Sequence, residues 1–409
     1  MKKISKIFMA FLLLAFMFNI SVQAQDGKNE KDKKDEKIEA YVFTTIGEVP
    51  STPVKNQYRS GTCWSFSGLG LIESDLLREG KDPVDLSEMF VVRNCYSDKA
   101  KKYVRFHGNL NFAGGGGFSD VIYVLDNYGI VPEEIYDGKE IGEENHVHGE
   151  MDIILKTYTD AVIKNKNKKI SPVWHNGFNG ILDAYLGEYP ETFTYEGIEY
   201  TPKSYAESLG INPDDYVELT SYTHHPFYEA FIMEIPDNWM YNETYNLPID
   251  ELMEVFNNAI EEGYPIAWGA DVSEKGFSWK NGVAIVPEED LTDLQGTEKE
   301  KWEKLTAKEK KKSLYSFEKP VKEKEITQEM RQEAFDNYQT TDDHGMVITG
   351  MAEDQNRNLY YIVKNSWGTD NHIYDGYFYA SEPFVKYKTM NIMVNKNAIP
   401  KKIRKKLGV

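Results

Sequence analysis

The chain has 409 residues, and its 66 acidic against 47 basic side chains leave a formal charge of −19. Such a surface repels phosphate backbones and sets nucleic acid aside as a partner. With two cysteines in all, Cys63 and Cys95, a disulfide framework is excluded, and stability has to come from a large core.

Read from the start, Lys2, Lys3 and Lys6 precede an apolar run from Ile7 to Phe18, followed by short side chains at Val22 and Ala24. That is the order of a secretory signal over residues 1–24, with a run too short to cross a bilayer comfortably. The protein is therefore expected to be exported, to a periplasm or the extracellular space, with no membrane contact beyond export. Residues 25–40 read as a flexible charged leader. Helical periodicity predicts a helix from Cys63 to Leu77, with Phe66, Leu69, Ile72 and Leu76 recurring on one face. Further helices are expected from Leu86 to Asn94, Phe118 to Tyr128 and His146 to Lys164. The prolines spread over residues 165–248 read as a loop-rich stretch. Asp250 is placed to cap a helix carrying Leu252, Val255, Phe256, Ala259 and Ile260. A buried strand is expected from Pro265 to Val272, then a charged, mostly helical arm over residues 297–333. Short apolar runs at Met346–Met351, Leu359–Val363, Tyr377–Ala380 and Asn391–Val394 read as an antiparallel meander. Helices in front and strands behind define an α+β fold with two lobes.

The chemistry gathers in four places. Cys63, in Ser60-Gly61-Thr62-Cys63-Trp64-Ser65-Phe66, opens a helix, where free backbone N–H groups and the helix dipole favour a thiolate. Gln57, six residues upstream, is placed to donate with the Cys63 N–H to a developing oxyanion. His344, in Asp342-Asp343-His344-Gly345, stands at the mouth of an apolar strand. Asn365, in Lys364-Asn365-Ser366-Trp367-Gly368, offers a carbonyl that fixes an imidazole without adding charge, and Trp367 can shield that bond from water. Asp342 and Asp343 either raise the histidine pKa or end a loop in solvent. Cys95 reads as a buried small residue. The pairs His146/His148 and His224/His225 read as surface residues, since neither has a third ligand at helical spacing. No metal or cofactor is implied.

In the order Gln, Cys, His, Asn, with these neighbours, the chain resembles the papain-like cysteine peptidases. The Cys63-to-His344 separation of 281 positions exceeds the roughly 130–150 of the simple enzymes, so large insertions are expected, about 138–248 and 286–338. That pattern, with Gly115-Gly116 and Tyr128-Gly129-Ile130-Val131-Pro132, is similar to the bleomycin hydrolase / aminopeptidase C branch. The resemblance implies a two-lobed papain-like domain over residues 41–409, with a helical lobe and an antiparallel, barrel-like lobe. It implies a peptidase with Cys63, His344, Asn365 and Gln57 as catalytic residues, Gly115 and Gly116 as substrate-binding residues, peptides as substrates and a homohexamer. It differs at Ser60, where papain-type enzymes have a disulfide cysteine, and at Thr62. The family's longer C-terminal arm, which limits cutting to single N-terminal residues, is not matched by the basic stretch Lys401–Val409. Aminopeptidase activity is therefore the first expectation. Endopeptidase or dipeptidyl activity is the alternative, and a non-catalytic binding protein on the same fold is the second.

Overall fold

The computed structural model describes residues 40–289, 300 and 302–409. The expected signal, all but the last residue of the leader and part of the charged arm lie outside these residues.

The chain enters through β1 (Thr44–Glu48) and then builds helices: α1 (Cys63–Arg78), α2 (Glu88–Arg105), α3 (Phe118–Asn127), α4 (Gly149–Ile163) and α5 (Trp174–Leu186). The first three begin at Cys63, near Leu86 and at Phe118, as the periodicity predicts. α2 starts two residues later than expected because the Ser87 hydroxyl caps it, accepting from the Phe90 N–H. It also runs well past Asn94. Gly129, at φ +86°, turns the chain out of α3. These helices enclose one apolar core, with Leu69, Ile72, Leu76, Phe90, Cys95, Val124, Phe178 and Leu182 all buried.

The stretch expected to be loop-rich also carries regular elements. It holds α5, the hairpin β2 (Phe193–Tyr195) and β3 (Ile198–Tyr200), α6 (Pro202–Leu209), β4 (Tyr216–Thr220), β5 (Ala230–Ile232) and β6 (Glu243–Asn246). Pro202 is the first helical residue of α6, where its missing N–H would have had no partner. Likewise α7 (Ile249–Glu261) follows Pro248. Asp250 lies inside its first turn and caps nothing. Its acid still suits the positive helix end.

The remaining elements are β7 (Ile266–Ala270), β8 (Phe277–Ser278), β9 (Val283–Ala284), α8 (Ala307–Leu314), α9 (Gln328–Asp336), β10 (His344–Glu353), β11 (Leu359–Lys364), β12 (Tyr377–Ser381), α10 (Glu382–Lys388), β13 (Thr389–Asn395) and α11 (Lys401–Leu407). Eleven strands form one sheet along the path β5-β6-β4-β13-β7-β10-β11-β12-β9-β8, with β1 also pairing with β10. The barrel-like antiparallel lobe needs correction: the sheet is an open path, and β4/β6 and β9/β12 pair in parallel. Its second core gathers Ile266, Trp268, Ile348, Val363, Phe378 and Ile392 with Phe256 and Ile260 of α7. In α11, Ile403 and Leu407 are buried in that core, and Lys406 pairs with Glu251.

Helix α1 joins the halves. It is buried from Trp64 to Leu76, as a helix packed on both sides must be. Close approach to β10 depends on Gly345: a Cβ there would stand 2.6 Å from Ser67 Oγ and 3.4 Å from the Cys63 carbonyl. A buried ionic cluster braces the same seam. Lys55 Nζ donates to Glu73 at 3.2 Å, to Glu88 at 2.7 Å and to the Leu86 carbonyl at 3.1 Å. Thr52 donates to Glu73 at 2.6 Å and accepts from Lys364 Nζ at 3.0 Å. That chain of bonds ties α1 to the residue before Asn365.

Candidate active site

Cys63 is the first residue of α1, and the preceding Thr62 gives the helix end no side-chain cap. Thr62 instead shares a buried hydrogen bond with Ser60, the position where the resemblance implies a disulfide cysteine. Cys63 as a residue is half-buried. It lines a cleft of about 400 Å³ together with Gln57, Gly115, Gly116, Asp237, Asp342, His344 and Trp367.

His344 is the first residue of β10, in register with Ala270 of β7. Its Nε2 lies 2.7 Å from Asn365 Oδ1. The Ser366 N–H donates to that same oxygen at 2.8 Å. A backbone N–H can only donate, so the atom is the amide oxygen, and His344 Nε2 must carry the proton. Nδ1 is then left as the acceptor. Trp367 stacks on the imidazole, with ring centroids 4.8 Å apart and planes 27° apart. The shielding expected of Trp367 is thus present.

Gln57 is held as tightly. Its N–H donates to the Ser366 carbonyl at 2.8 Å, and its Oε1 accepts from Ser366 Oγ at 2.7 Å. With Oε1 engaged, Nε2 is the free donor at the cleft. Ser366, to which the sequence assigns no role, therefore orients both amides. The signal was there: it adjoins Asn365.

Electrostatics differ from the expectation of a thiolate favoured by the helix end. Burial pushes the Cys63 thiol up to about 12, and Asp342 and Asp237 add to this, while backbone hydrogen bonds from Gly345 and Trp64 oppose it. Burial also lowers the His344 pKa, against the Asn365 hydrogen bond and the charge of Asp343. Each group alone charges reluctantly. Charged together by one internal proton transfer, thiolate and imidazolium attract, and the cleft gains no net charge. Asp343 is engaged elsewhere, accepting from Val272 N at 3.0 Å and Ser273 Oγ at 2.9 Å.

Gly115 and Gly116 line the cleft, and side chains behind them leave no room for a Cβ. At Gly115 it would overlap the Asp237 carboxylate; at Gly116 it would lie 2.6 Å from Asp120 Oδ2 and 2.9 Å from Trp64 Cε2. The loop is held by Trp64 Nε1, which donates to the Gly114 carbonyl at 3.0 Å, and by Lys99 Nζ on the Ala113 and Gly115 carbonyls.

The histidine pairs depart from the surface reading. His146 and His148 are buried, and burial lowers them to about 3 and about 4. His224 and His225 do reach solvent, but Glu234 supplies the third group the sequence reading lacked. Its two oxygens lie 3.1 and 2.9 Å from the two Nε2 atoms. Both imidazoles are satisfied by that carboxylate as donors.

Cysteine and imidazole on one cleft, the imidazole bonded to the Asn365 amide behind it and a second amide, Gln57, beside them, fit the site of a cysteine-type peptidase on a papain-like fold. The model of the Peptidase C1-like family matches residues 17–317 and 309–408, so the chain belongs to that family. Aminopeptidase C of Listeria monocytogenes is 22% identical over 406 residues, covering 87% of this chain and 83% of the relative. Bleomycin hydrolase of Mus musculus is 23% identical over 420 residues, covering 89% and 84%. The solved structure of PepW from Lactobacillus rhamnosis superposes with a TM-score of 0.65 at 18% identity, covering 89% of this chain and 84% of that one. Its likeness supports the fold.

Proposed function

We propose that this protein removes N-terminal residues from peptides through an acyl-enzyme on Cys63. The Cys63 thiol gives its proton to His344 Nδ1 as sulfur bonds to the carbonyl carbon. Gln57 Nε2 and the Cys63 N–H donate to the oxyanion. The tetrahedral adduct collapses, the C–N bond breaks, and the imidazolium returns its proton to the leaving amine. Water, deprotonated by His344, then cleaves the thioester and restores the thiol. Gly115 and Gly116 present backbone to the substrate chain. The observation that carries the reading is the Ser366 N–H and His344 Nε2 meeting at one Asn365 oxygen, because it leaves Nδ1 free to take the proton. The printed names of the relatives favour aminopeptidase action.

A fluorogenic peptide with a free α-amine and its N-acetylated twin test this, with Cys63→Ala as control. Cleavage of the free-amine form alone, lost in Cys63→Ala, is expected. Equal cleavage of both would make the protein an endopeptidase, and full activity in Cys63→Ala would end the acyl-enzyme reading. Export on residues 1–24 and assembly into a homohexamer are further proposals. N-terminal sequencing of the protein from the cell exterior tests the first, and light scattering tests the second.

A further inference from the structure

The cleft is one-sided in charge. Asp237, Asp342 and Asp343 line it, and no lysine or arginine does. Asp343 is engaged by Val272 and Ser273. Asp342 is not: neither of its carboxylate oxygens accepts a hydrogen bond from the described residues, and its neighbours by charge are Asp237, Asp343 and Glu218. Asp237 accepts from Asn111 Nδ2 at 2.9 Å through Oδ1, which leaves Oδ2 against Gly115. Lys99 acts on Asp237 by charge, but its Nζ is held by backbone carbonyls. Two carboxylates that line one cleft and act on each other by charge repel, and a cation between them relieves that repulsion. The described residues offer no third metal ligand there; the one three-ligand cluster among them is His224, His225 and Glu234.

The position of Asp237 narrows what that cation is. It lies between β5 and β6, in the insertion, together with Ile235, which lines the same cleft. The insertion thus stands against the Gly115 end of the groove that leads to Cys63. A peptide lying along Gly115 and Gly116 meets a carboxylate where its chain would otherwise continue. None of residues 401–409 lines this cleft. We infer that Asp237 and Asp342 hold the α-ammonium group of a peptide's first residue, so that the bond to be cut lies over Cys63. The inference rests on the peptidase reading above and assigns the residues that select its substrates.

Labelling of Cys63 by a peptidyl epoxide with a free α-amine, compared with its N-acetylated twin, tests the anchor without requiring turnover. Wild type is expected to react at least tenfold faster with the free-amine probe. In Asp237→Asn and in Asp342→Asn that preference collapses toward one; because both charges also act on the Cys63 thiol, the readout is the ratio of the two probes within each variant, not either rate alone. An unchanged preference in both variants, or none in wild type, overturns the inference. Calorimetry of a free-amine dipeptide amide on Cys63→Ala, with and without Asp237→Asn, gives a second arm that needs no reactive thiol. There, equal affinity in the two proteins overturns it. Failure of the peptidase reading appears separately, as labelling or binding with the expected preference but no hydrolysis.

Discussion

The two halves of the cleft hold their reacting groups in opposite ways. Cys63 stands half-buried at an uncapped helix end, with Asp237 and Asp342 acting on its thiol. His344 is fixed by strand register with Ala270, by the Trp367 ring and by the Asn365 oxygen. The helical half therefore supplies the reactive atom, and the sheet half supplies an orientation set by several contacts at once. On the proposed mechanism, loss of His344 on the sheet side leaves the sulfur in place and removes its proton acceptor. Loss of a brace between the halves loosens both.

The largest effect is expected at the base. His344→Ala should lower kcat by about 10²–10⁴-fold, measured in steady state; a loss under tenfold would separate His344 from the proton transfer. Next comes the brace. Lys55→Met leaves Glu73 and Glu88 buried without their cation and should cost about 3 kcal/mol or more of stability, read by denaturant melts. Replacing all three by apolar residues of similar size should restore much of that loss. Ser366→Ala frees Gln57 and should cost about 1 kcal/mol of transition-state stabilisation, roughly fivefold in kcat/KM, by the usual worth of one hydrogen bond. Gln57→Ala made on top of it should then add less than it does alone.

The smallest effect separates the two kinds of substrate by pH. Burial, with Asp237, Asp343 and Glu218 facing it, holds Asp342 up at about 7. Asp237, itself raised by burial, also faces Lys99. A peptide's α-amine titrates at about 7.7–8.0. Anchoring needs a charged carboxylate and a protonated amine, so the free-amine preference should peak between about 7 and 8 and fall as pH drops through 7. The acetylated probe needs only the thiol and imidazole. Because the His344 pKa lies below its ordinary value, labelling by that probe should hold to lower pH. Coincident profiles would remove Asp342 from the anchor.

Much of the catalytic geometry was legible because it is carried by local motifs. Asn365, Ser366 and Trp367 are consecutive, and Cys63 opens a helix whose apolar spacing is plain. Other features depend on contacts distant in sequence. Asp237 lies in a proline-rich stretch that reads as loop, and nothing local connects it to Gly115. Pro202 and Pro248 suggested breaks where they precede or begin helices. The parallel pair β4/β6 belongs to the first insertion, and β9, paired in parallel with β12, precedes the second, so a meander of the last hundred residues describes only the middle of the sheet. Glu234 joins His224 and His225 from the far end of β5, beyond the helical spacings by which ligand sets are read.

The most direct test of the central claim is to trap the acyl-enzyme. Rapid quenching of the protein with an aminoacyl p-nitrophenyl ester, followed by peptide mass spectrometry, should place one acyl group on the peptide containing Cys63. An acyl group elsewhere, or ester and peptide hydrolysis that persist in Cys63→Ala, would contradict the account.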